Sequence, residues 1–335
     1  MLTPTPAKIL VLSDSFHELP EAVEVLASSG HEIGYIHALR RLESLTPDEL
    51  PFLLHETEAL VTGRVMTLSR EALELLPRLK VVALHTSGSD NVDLDAATER
   101  GICVTNVKGS NAAQCADLAI GLILATVRQI VRGDKAIRAG RWASDTNVSF
   151  DVSGATLGVV GLGQIGKMVV KRAHGFDMNL LVHTRTPDQA FAERYGVTFV
   201  TLDELLSRAD IVSLNASLGT GSYRMIGERE LRLMKPTAFL TNIARGELVD
   251  EAALYRALTE GWIAGAGLDV FETEPIYESH LFNLENVVLT PHQAGLTASG
   301  KLGAAVRAAH NALLILAGEI SGDIVNPEAF GRTLV

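Results

Sequence analysis

The sequence is poor in cysteine, and this scarcity excludes two kinds of architecture. Only two cysteines are present, Cys103 and Cys115. Two thiols at this spacing form neither a disulfide framework nor a zinc site. The N-terminal stretch also lacks the basic segment followed by an apolar one that a signal peptide requires. The longest apolar run, residues 118–127, is too short to span a bilayer. We therefore expect a reduced, cytoplasmic protein.

Positive charge is also in short supply, which limits the classes of partner. Lys and Arg together number 29 against 40 Asp and Glu, giving a net charge of −11. A general DNA or RNA binder needs a basic face, and an anionic membrane surface repels an acidic protein. We expect neither among the partners. No set of His, Cys, Asp and Glu residues has the spacing of metal ligands, so no metal is expected either.

Short apolar runs, in contrast, alternate with helical stretches along the whole chain. The 335 residues, 47% of them apolar, suffice for two domains. This rhythm predicts an α/β fold with doubly wound parallel sheets, covered by helices on both faces. Long helices are predicted over residues 111–139 and 298–317, with a domain boundary near residues 104–108. The predicted strands are 8–12, 32–37, 60–62, 81–85, 103–106, 156–160, 180–184, 211–214, 238–243, 265–270 and 287–290.

A glycine-rich turn follows the apolar strand TLGVV. It contains Gly161, Gly163 and Gly166, with Gln164 and Ile165 between the last two. In a dinucleotide site the first glycine makes the turn, the second lets the backbone approach a pyrophosphate, and the third packs helix against strand. The helix N-terminus then offers free N–H groups to the anion. A plain strand-to-helix turn is the alternative, but the strand–turn–helix order favours a dinucleotide cofactor.

The end of the next strand bears on the choice between NAD and NADP. An NAD site usually has Asp or Glu there, which binds the ribose hydroxyls. Here Thr184, Arg185 and Thr186 stand instead, and a guanidinium with hydroxyl neighbours suits a 2′-phosphate. We predict that Thr186 caps the next helix, with Pro187 at its first position and Asp188 in its first turn. NADP(H) is therefore expected to be preferred over NAD(H), the alternative for Arg185 being a solvated loop charge.

Three polar residues follow three late strands. Arg245, Glu274 and His292 lie where the carboxyl ends of parallel strands converge on a ligand crevice. Reduction of a 2-oxo acid needs a proton donor, and His is suited to that role near neutral pH. A carboxylate partner orients the ring and favours imidazolium, while Arg binds a substrate carboxylate and polarises the carbonyl. The alternatives are a helix-capping Arg, a surface Glu and a loop His.

Seven segments add a family resemblance over most of residues 80–300. They are SGSDNVDLDAATERGICVTNV, ADLAIGLILATVR, LGVVGLGQIG, ADIVSLN, MKPTAFLTNIARGELVDEAAL, AGAGLDVFETEP and NVVLTPHQAG. In order, spacing and identity they resemble the D-isomer-specific 2-hydroxyacid dehydrogenase family, in its glyoxylate/hydroxypyruvate reductase-like, NADP-type branch. The resemblance implies catalytic roles for Arg245, Glu274 and His292, with Arg245 and His292 also binding substrate. It implies cofactor contacts for Ile243 and Asp269, the latter with the nicotinamide carboxamide.

The resemblance also implies a domain layout. Residues 1–105 and 297–335 would form a discontinuous, flavodoxin-like substrate domain, and residues 106–296 an inserted Rossmann domain that binds NAD(P). The loop Ser87-Gly88-Ser89 would hold the substrate carboxylate through its amides, and the long helix would contribute to a homodimer interface. Trp142 matches a Trp that the partner subunit presents near the active site in reductases of this branch, although a packing Trp is the alternative.

Taken together, these patterns predict an NADPH-dependent reductase of a small 2-oxo acid, with glyoxylate or hydroxypyruvate favoured. Hydroxyphenylpyruvate and 2-ketogluconate are alternative substrates, and a nucleotide-sensing, corepressor-like interaction protein is the alternative of another class. The chain departs from the family pattern at Asn215-Ala216-Ser217 and at Asp117. In the first domain, Arg64 and the residues 52–54 are candidates for the rim and shape of the substrate cleft.

Overall fold

The structure, a computed structural model, describes residues 6–13, 15–36, 55–63, 67–142 and 149–333. The chain divides into two units, one made of Met1–Asn111 with Thr297–Val335 and the other of Ala112–Leu296. The chain first passes from one unit to the other after Asn111, whereas the end of the first domain segment was predicted at residue 105. His37, the residues 52–54 and Arg64 lie outside the described residues.

The first unit contains a parallel sheet of five strands in the order β2-β1-β3-β4-β5. This is the strand order of flavodoxin-like folds, as predicted. The first segment of this unit, Met1–Asn111, also contains the helices Pro20–Ala27, Arg70–Glu74 and Leu94–Glu99. The strands are β1 (Lys8–Leu12), β2 (Glu32–Ile36), β3 (Ala59–Thr62), β4 (Val81–Leu84) and β5 (Cys103–Thr105).

The helix Ala298–Leu316 belongs to this first unit although it lies at the other end of the sequence. Its alanines, among them Ala304, Ala308 and Ala312, are buried against one face of the sheet with Val11 of β1. Small side chains let a helix approach a sheet closely, which accounts for the alanine-rich stripe at helical spacing. A separate apolar core covers the opposite face of the sheet.

The second unit contains a parallel sheet of seven strands in the order β12-β11-β10-β9-β6-β7-β8. The order reverses between β6 and β9, as in a Rossmann fold, and ligands bind at such a switch point. Successive residues of β6, Val159 and Val160, enter two different cores, so both faces of the sheet are covered. The strands are β6 (Thr156–Val160), β7 (Asn179–His183), β8 (Val197–Phe199), β9 (Ile211–Leu214), β10 (Phe239–Asn242), β11 (Gly265–Leu268) and β12 (Val287–Leu289).

The helices of the second unit include one correction to the sequence prediction. The helix expected over 111–139 is two helices, Ala112–Val127 and Ile130–Arg138, bent by 60°. The break falls at Gln129, whose φ of 51° lies in the left-handed region. The other helices are Gln164–His174, Gln189–Tyr195, Leu202–Arg208, Glu228–Leu233 and Glu251–Thr259.

The described part of the chain contains no single helix with the length and apolar character needed to cross a membrane. The bent pair Ala112–Val127 and Ile130–Arg138 meets these criteria only when both helices are taken together. The first of the two carries much of the core on one face of the seven-stranded sheet.

Candidate active site

The glycine-rich turn joins β6 to the helix Gln164–His174, and two of its glycines leave no space for a side chain. Gly161 has a φ of 96°, and a Cβ there would lie 2.8 Å from the amide nitrogen of Ala216. A Cβ on Gly166 would lie 2.1 Å from the carbonyl oxygen of Gly161. These contacts hold the turn, the helix and the loop after β9 together at the switch point of the sheet.

The helix that follows the turn presents an uncapped N-terminus. Gly163 is the N-cap residue and has no side chain to accept a hydrogen bond, while Gln164 is exposed and Ile165 is half-buried. A Cβ on Gly163 would meet no protein atom within 4 Å. The first amides of the helix therefore remain available to an anion that the backbone can approach closely. This geometry fits the pyrophosphate of a dinucleotide.

The loop after β7 corrects one detail of the prediction. Asp188, not Thr186, caps the helix Gln189–Tyr195, because its Oδ1 accepts a hydrogen bond from the amide of Phe191 at 3.0 Å. Its Oδ2 pairs with Nζ of Lys167, and that pairing lowers the pKa of the Asp188 carboxyl. The prediction put Pro187 at the first position of the helix, but the helix begins at Gln189, so Asp188 lies just before its first turn.

Arg185 and Thr186 of this loop face solvent, whereas Thr184 is partly covered. Thr184 is half-buried and accepts a hydrogen bond from the amide of Thr186 at 3.4 Å, while Arg185 and Thr186 are exposed. Within the described residues, Arg185 makes no ion pair. A cation with no acidic partner therefore stands beside two hydroxyl groups at the end of β7.

Arg245 lies just beyond β10, in a turn that Asn242 holds. The amide Nδ2 of Asn242 donates to the carbonyl of Arg245 at 2.7 Å, and its Oδ1 accepts from the amide of Ala244 at 3.0 Å. Asn242 is buried, so these two hydrogen bonds are shielded from water. Sequence reasoning missed Asn242, although a short amide at a strand end is typical of such turns. Ile243 is buried in the core that also covers β6. Its predicted contact with a cofactor stays a prediction.

His292 and Glu274 meet in the loops after β12 and β11. Nδ1 of His292 lies 2.6 Å from Oε2 of Glu274, and Oε1 of Glu274 accepts the amide of Phe271 at 3.0 Å. An ionised carboxylate only accepts, so Nδ1 carries the hydrogen and Nε2 is left for another partner. His292 has a φ of 48°, a conformation that costs about 1–2 kcal/mol in a residue other than glycine.

Asp269 fixes the loop that carries His292. Its buried carboxylate accepts the hydroxyl of Thr290 at 2.6 Å and the amides of Gln293 and Ala294, each at 2.9 Å. Its backbone carbonyl accepts the amide of His292 at 2.8 Å. The prediction that Asp269 binds a nicotinamide carboxamide stays a prediction, but these contacts already show how the strained conformation of His292 is held.

Two further residues were not singled out by sequence reasoning. A Cβ on Gly246 would lie 1.8 Å from the backbone carbon of Phe271, so the turn after Arg245 packs directly on the loop that leads to Glu274. Cys115 is buried near the same groups. The pKa of its thiol is raised to about 11, mainly by burial and in part by the charge of Asp269, while the charge of Arg245 opposes the rise. The thiol is therefore protonated at neutral pH.

In the first unit, the loop after β4 has free backbone donors. Ser87 donates its hydroxyl to Asn111 at 2.9 Å, and its carbonyl accepts from Asn106 at 3.0 Å. Among the described residues, no acceptor takes the amide hydrogens of Ser87, Gly88 or Ser89. Three successive free amides at the carboxyl edge of a parallel sheet suit an anionic ligand.

Comparisons with known proteins identify the family of this chain. Residues 120–294 match the family model described as D-isomer specific 2-hydroxyacid dehydrogenase, NAD binding domain. A glyoxylate reductase of Thermococcus litoralis is 43% identical over 282 residues, which cover 82% of this chain and 85% of that protein.

Two solved structures have the same fold over nearly their whole length. A glyoxylate reductase from Paecilomyes thermophila has a TM-score of 0.85 and 32% identity, and the match covers 97% of this chain and 100% of that one. A D-lactate dehydrogenase of Aquifex aeolicus, complexed with NAD and lactic acid, has a TM-score of 0.84 and 28% identity, with 95% and 99% covered. The protein therefore belongs to the D-isomer specific 2-hydroxyacid dehydrogenase family and is an NAD(P)-dependent oxidoreductase.

Proposed function

We propose that this chain reduces a small 2-oxo acid, with glyoxylate and hydroxypyruvate favoured, to the D-2-hydroxy acid with NADPH. The observation that carries the proposal is the 2.6 Å contact between Nδ1 of His292 and Oε2 of Glu274. Because Nδ1 is engaged, Nε2 of His292 donates the proton that the carbonyl oxygen needs. Glu274 holds the ring in that orientation and favours its protonated form.

Arg245 is assigned to the substrate carboxylate. A guanidinium binds a carboxylate through two parallel hydrogen bonds, and its charge polarises the adjacent carbonyl. The free amides of Ser87, Gly88 and Ser89, in the first unit, are also assigned to substrate binding. A bound nicotinamide cofactor supplies the hydride to the carbonyl carbon. We assign its pyrophosphate to the turn Gly161–Gly166 and its nicotinamide end to Ile243 and Asp269.

The substrate is tested by following NADPH oxidation with a panel of 2-oxo acids. We expect the highest kcat/KM with glyoxylate and hydroxypyruvate, the former being the compound named for similar proteins from Thermococcus litoralis and Paecilomyes thermophila. Much faster turnover of hydroxyphenylpyruvate or 2-ketogluconate would overturn this substrate assignment. Tight NADPH binding with no turnover of any acid would instead indicate a nucleotide-sensing interaction protein.

The preference for NADPH is supported by the loop after β7. Within the described part of this loop, Asp188 is the only acid near the position that binds the ribose hydroxyls in NAD enzymes. Both of its carboxylate oxygens are already engaged, one by the amide of Phe191 and the other by Lys167. Arg185, next to Thr184 and Thr186, has no acidic partner among the described residues. A guanidinium flanked by hydroxyls suits the 2′-phosphate of NADPH better than the free hydroxyl of NADH.

Replacing Arg185 by alanine should lower the ratio of kcat/KM for NADPH to that for NADH by about tenfold to a hundredfold. That is the effect of losing one charge-assisted hydrogen bond at an exposed site. The ratio is measured with one saturating oxo acid and both cofactors.

Two variants serve as controls for this measurement. Arg185→Lys keeps the charge and should lose less. Arg194→Ala removes an exposed Arg that stacks on Tyr195 at 5.4 Å, and should leave the ratio unchanged. An unaltered ratio in Arg185→Ala would remove that side chain from cofactor recognition.

We further propose a homodimer that uses the helix Ile130–Arg138. Ile130 and Ile137 are more than half exposed, and Trp142 just beyond the helix is 85% exposed. Large apolar side chains grouped on one exposed helix are typical of a subunit interface. Light scattering of the purified protein should give twice the mass of one chain, whereas a monomer would contradict this proposal.

A further inference from the structure

Three carboxyl groups lie in the same cluster as Glu274 of the His292–Glu274 pair, and one arginine pairs with two of them. The three belong to Asp250, Glu251 and Glu272. The arginine is Arg224, whose Nε lies 2.9 Å from Oε1 of Glu272 and whose Nη1 lies 3.6 Å from Oδ2 of Asp250. These residues come from three separate stretches of the second unit.

Hydrogen bonds connect this cluster to the candidate catalytic pair. Oε2 of Glu251, in the first turn of the helix Glu251–Thr259, accepts the amide of Glu272 at 3.0 Å. Glu274 accepts the amide of Phe271 in the same loop and contacts His292 on its other side. The loop Phe271–Glu274 is therefore held by carboxylates at two of its amides. One of the two, Glu251, is anchored in a helix.

Arg224 is held in an unfavourable backbone conformation. Its φ of 47° lies in the left-handed region, which residues other than glycine rarely adopt. Its amide donates to the carbonyl of Glu247 at 2.7 Å, in the turn that follows Arg245, and its guanidinium lies over the ring of Tyr223. The surrounding structure thus fixes where the guanidinium points. Strain of this kind persists where neighbouring contacts over-determine a conformation, often beside functional groups.

The cluster has an unbalanced charge. Burial raises the pKa of the Glu251 carboxyl, and the nearby charges of Glu272 and Glu274 add to this, whereas the hydrogen bond from the amide of Glu272 lowers it. The pKa of Arg224 is raised by Glu272, so its charge persists at all working pH values. Arg224 therefore offsets part of the negative charge of Asp250 and Glu272 in the cluster next to Glu274.

We propose that Arg224 and Glu251 are positioning residues that hold the Phe271–Glu274 loop and set the charge behind the His292–Glu274 pair. The proposal rests on the proposed function, because it assigns His292 as the proton donor. The charged groups around Glu274 are His292 on the neighbouring loop, Glu272 on its own loop, Glu251 and Asp250 at the helix start, and Arg224. Arg245 completes them, since its turn packs on Phe271 through Gly246.

The test compares the pH profiles of Arg224→Ala and Glu251→Gln. Reduction requires a protonated His292, so kcat/KM falls as the pH rises. Arg224→Ala removes a positive charge, favours the protonated imidazole and should move this falling limb to higher pH. Glu251→Gln keeps an acceptor for the amide of Glu272 but removes a negative charge, so it should move the limb to lower pH. Each shift should be about half a pH unit, the effect of one partly screened charge.

Matched variants separate charge from structure. Arg224→Lys keeps the charge and should bring the limb back close to its wild-type position. Arg256→Ala removes an equally exposed Arg that pairs with Glu228 at 2.7 Å, and should not move it. Shifts in the same direction for Arg224→Ala and Glu251→Gln, or none, would overturn the proposal.

A second readout does not depend on turnover. The imidazole of His292, followed by NMR in the three proteins, should titrate with the same opposite displacements. If no oxo acid is reduced but these displacements appear, the proposed function fails while the positioning network stands. If turnover is normal but the imidazole titration is the same in all three proteins, the network fails alone.

Discussion

Replacing His292 by alanine should lower kcat for the 2-oxo acid by about 10²–10⁴-fold, the usual contribution of one general acid. We assign protonation of the carbonyl oxygen to His292, because Glu274 engages Nδ1 at 2.6 Å and leaves Nε2 for the substrate. The affinity for NADPH should stay near that of the unaltered protein, since the turn Gly161–Gly166 does not depend on the imidazole. Steady-state kinetics and a fluorescence titration with NADPH measure the two quantities.

A matched control comes from another histidine. His310 is exposed on the helix Ala298–Leu316, and His310→Ala should leave kcat unchanged. Glu274→Gln should give an intermediate loss, because an amide still orients the ring but no longer favours its charged form. Turnover close to normal in His292→Ala would refute the role as proton donor, whatever the result for Glu274.

The backbone architecture followed largely from local patterns, because each element has its own sequence signal. The alternation of buried strands and amphipathic helices gave both parallel sheets, and the strand ends agree within a residue or two. The strand Val197–Phe199 was missed, since a strand of three residues at a sheet edge, none of them buried, has little pattern. The break at Gln129 was missed because neither glycine nor proline marks the residue that adopts the left-handed conformation.

The candidate site followed from the sequence only in part. Strand ends and family motifs predicted Arg245, Glu274 and His292, but spacing alone could not show that Glu274 and His292 touch. The contacts that support these residues are harder to predict from the sequence. Gly246 and Arg224 contact the backbone of other segments, at Phe271 and Glu247, and no periodicity records such contacts. The contacts of Asp188 also could not be predicted in full from the local sequence, because its second oxygen pairs with Lys167, which lies on another helix.

Replacing Arg245 by alanine should lower kcat/KM for a 2-oxo acid by about 10²–10³-fold, within the range for losing one partner of a hydrogen-bonded charge pair. The guanidinium is assigned two tasks, binding of the substrate carboxylate and polarisation of the carbonyl, so KM should rise and kcat should fall. The turn itself should persist, because Asn242 holds it through the backbone carbonyl of Arg245 at 2.7 Å. Arg245→Lys keeps the charge without the bidentate geometry and should recover only part of the loss.

A substrate without a carboxylate separates the two tasks of Arg245. Glycolaldehyde has the carbonyl group but no carboxylate, so Arg245→Ala should impair its reduction far less than that of glyoxylate. Added guanidinium should partly restore glyoxylate reduction in this variant, and it should do nothing for Arg256→Ala, whose lost side chain pairs with Glu228 on the surface. Equal losses for both substrates would mean that Arg245 does not bind the carboxylate.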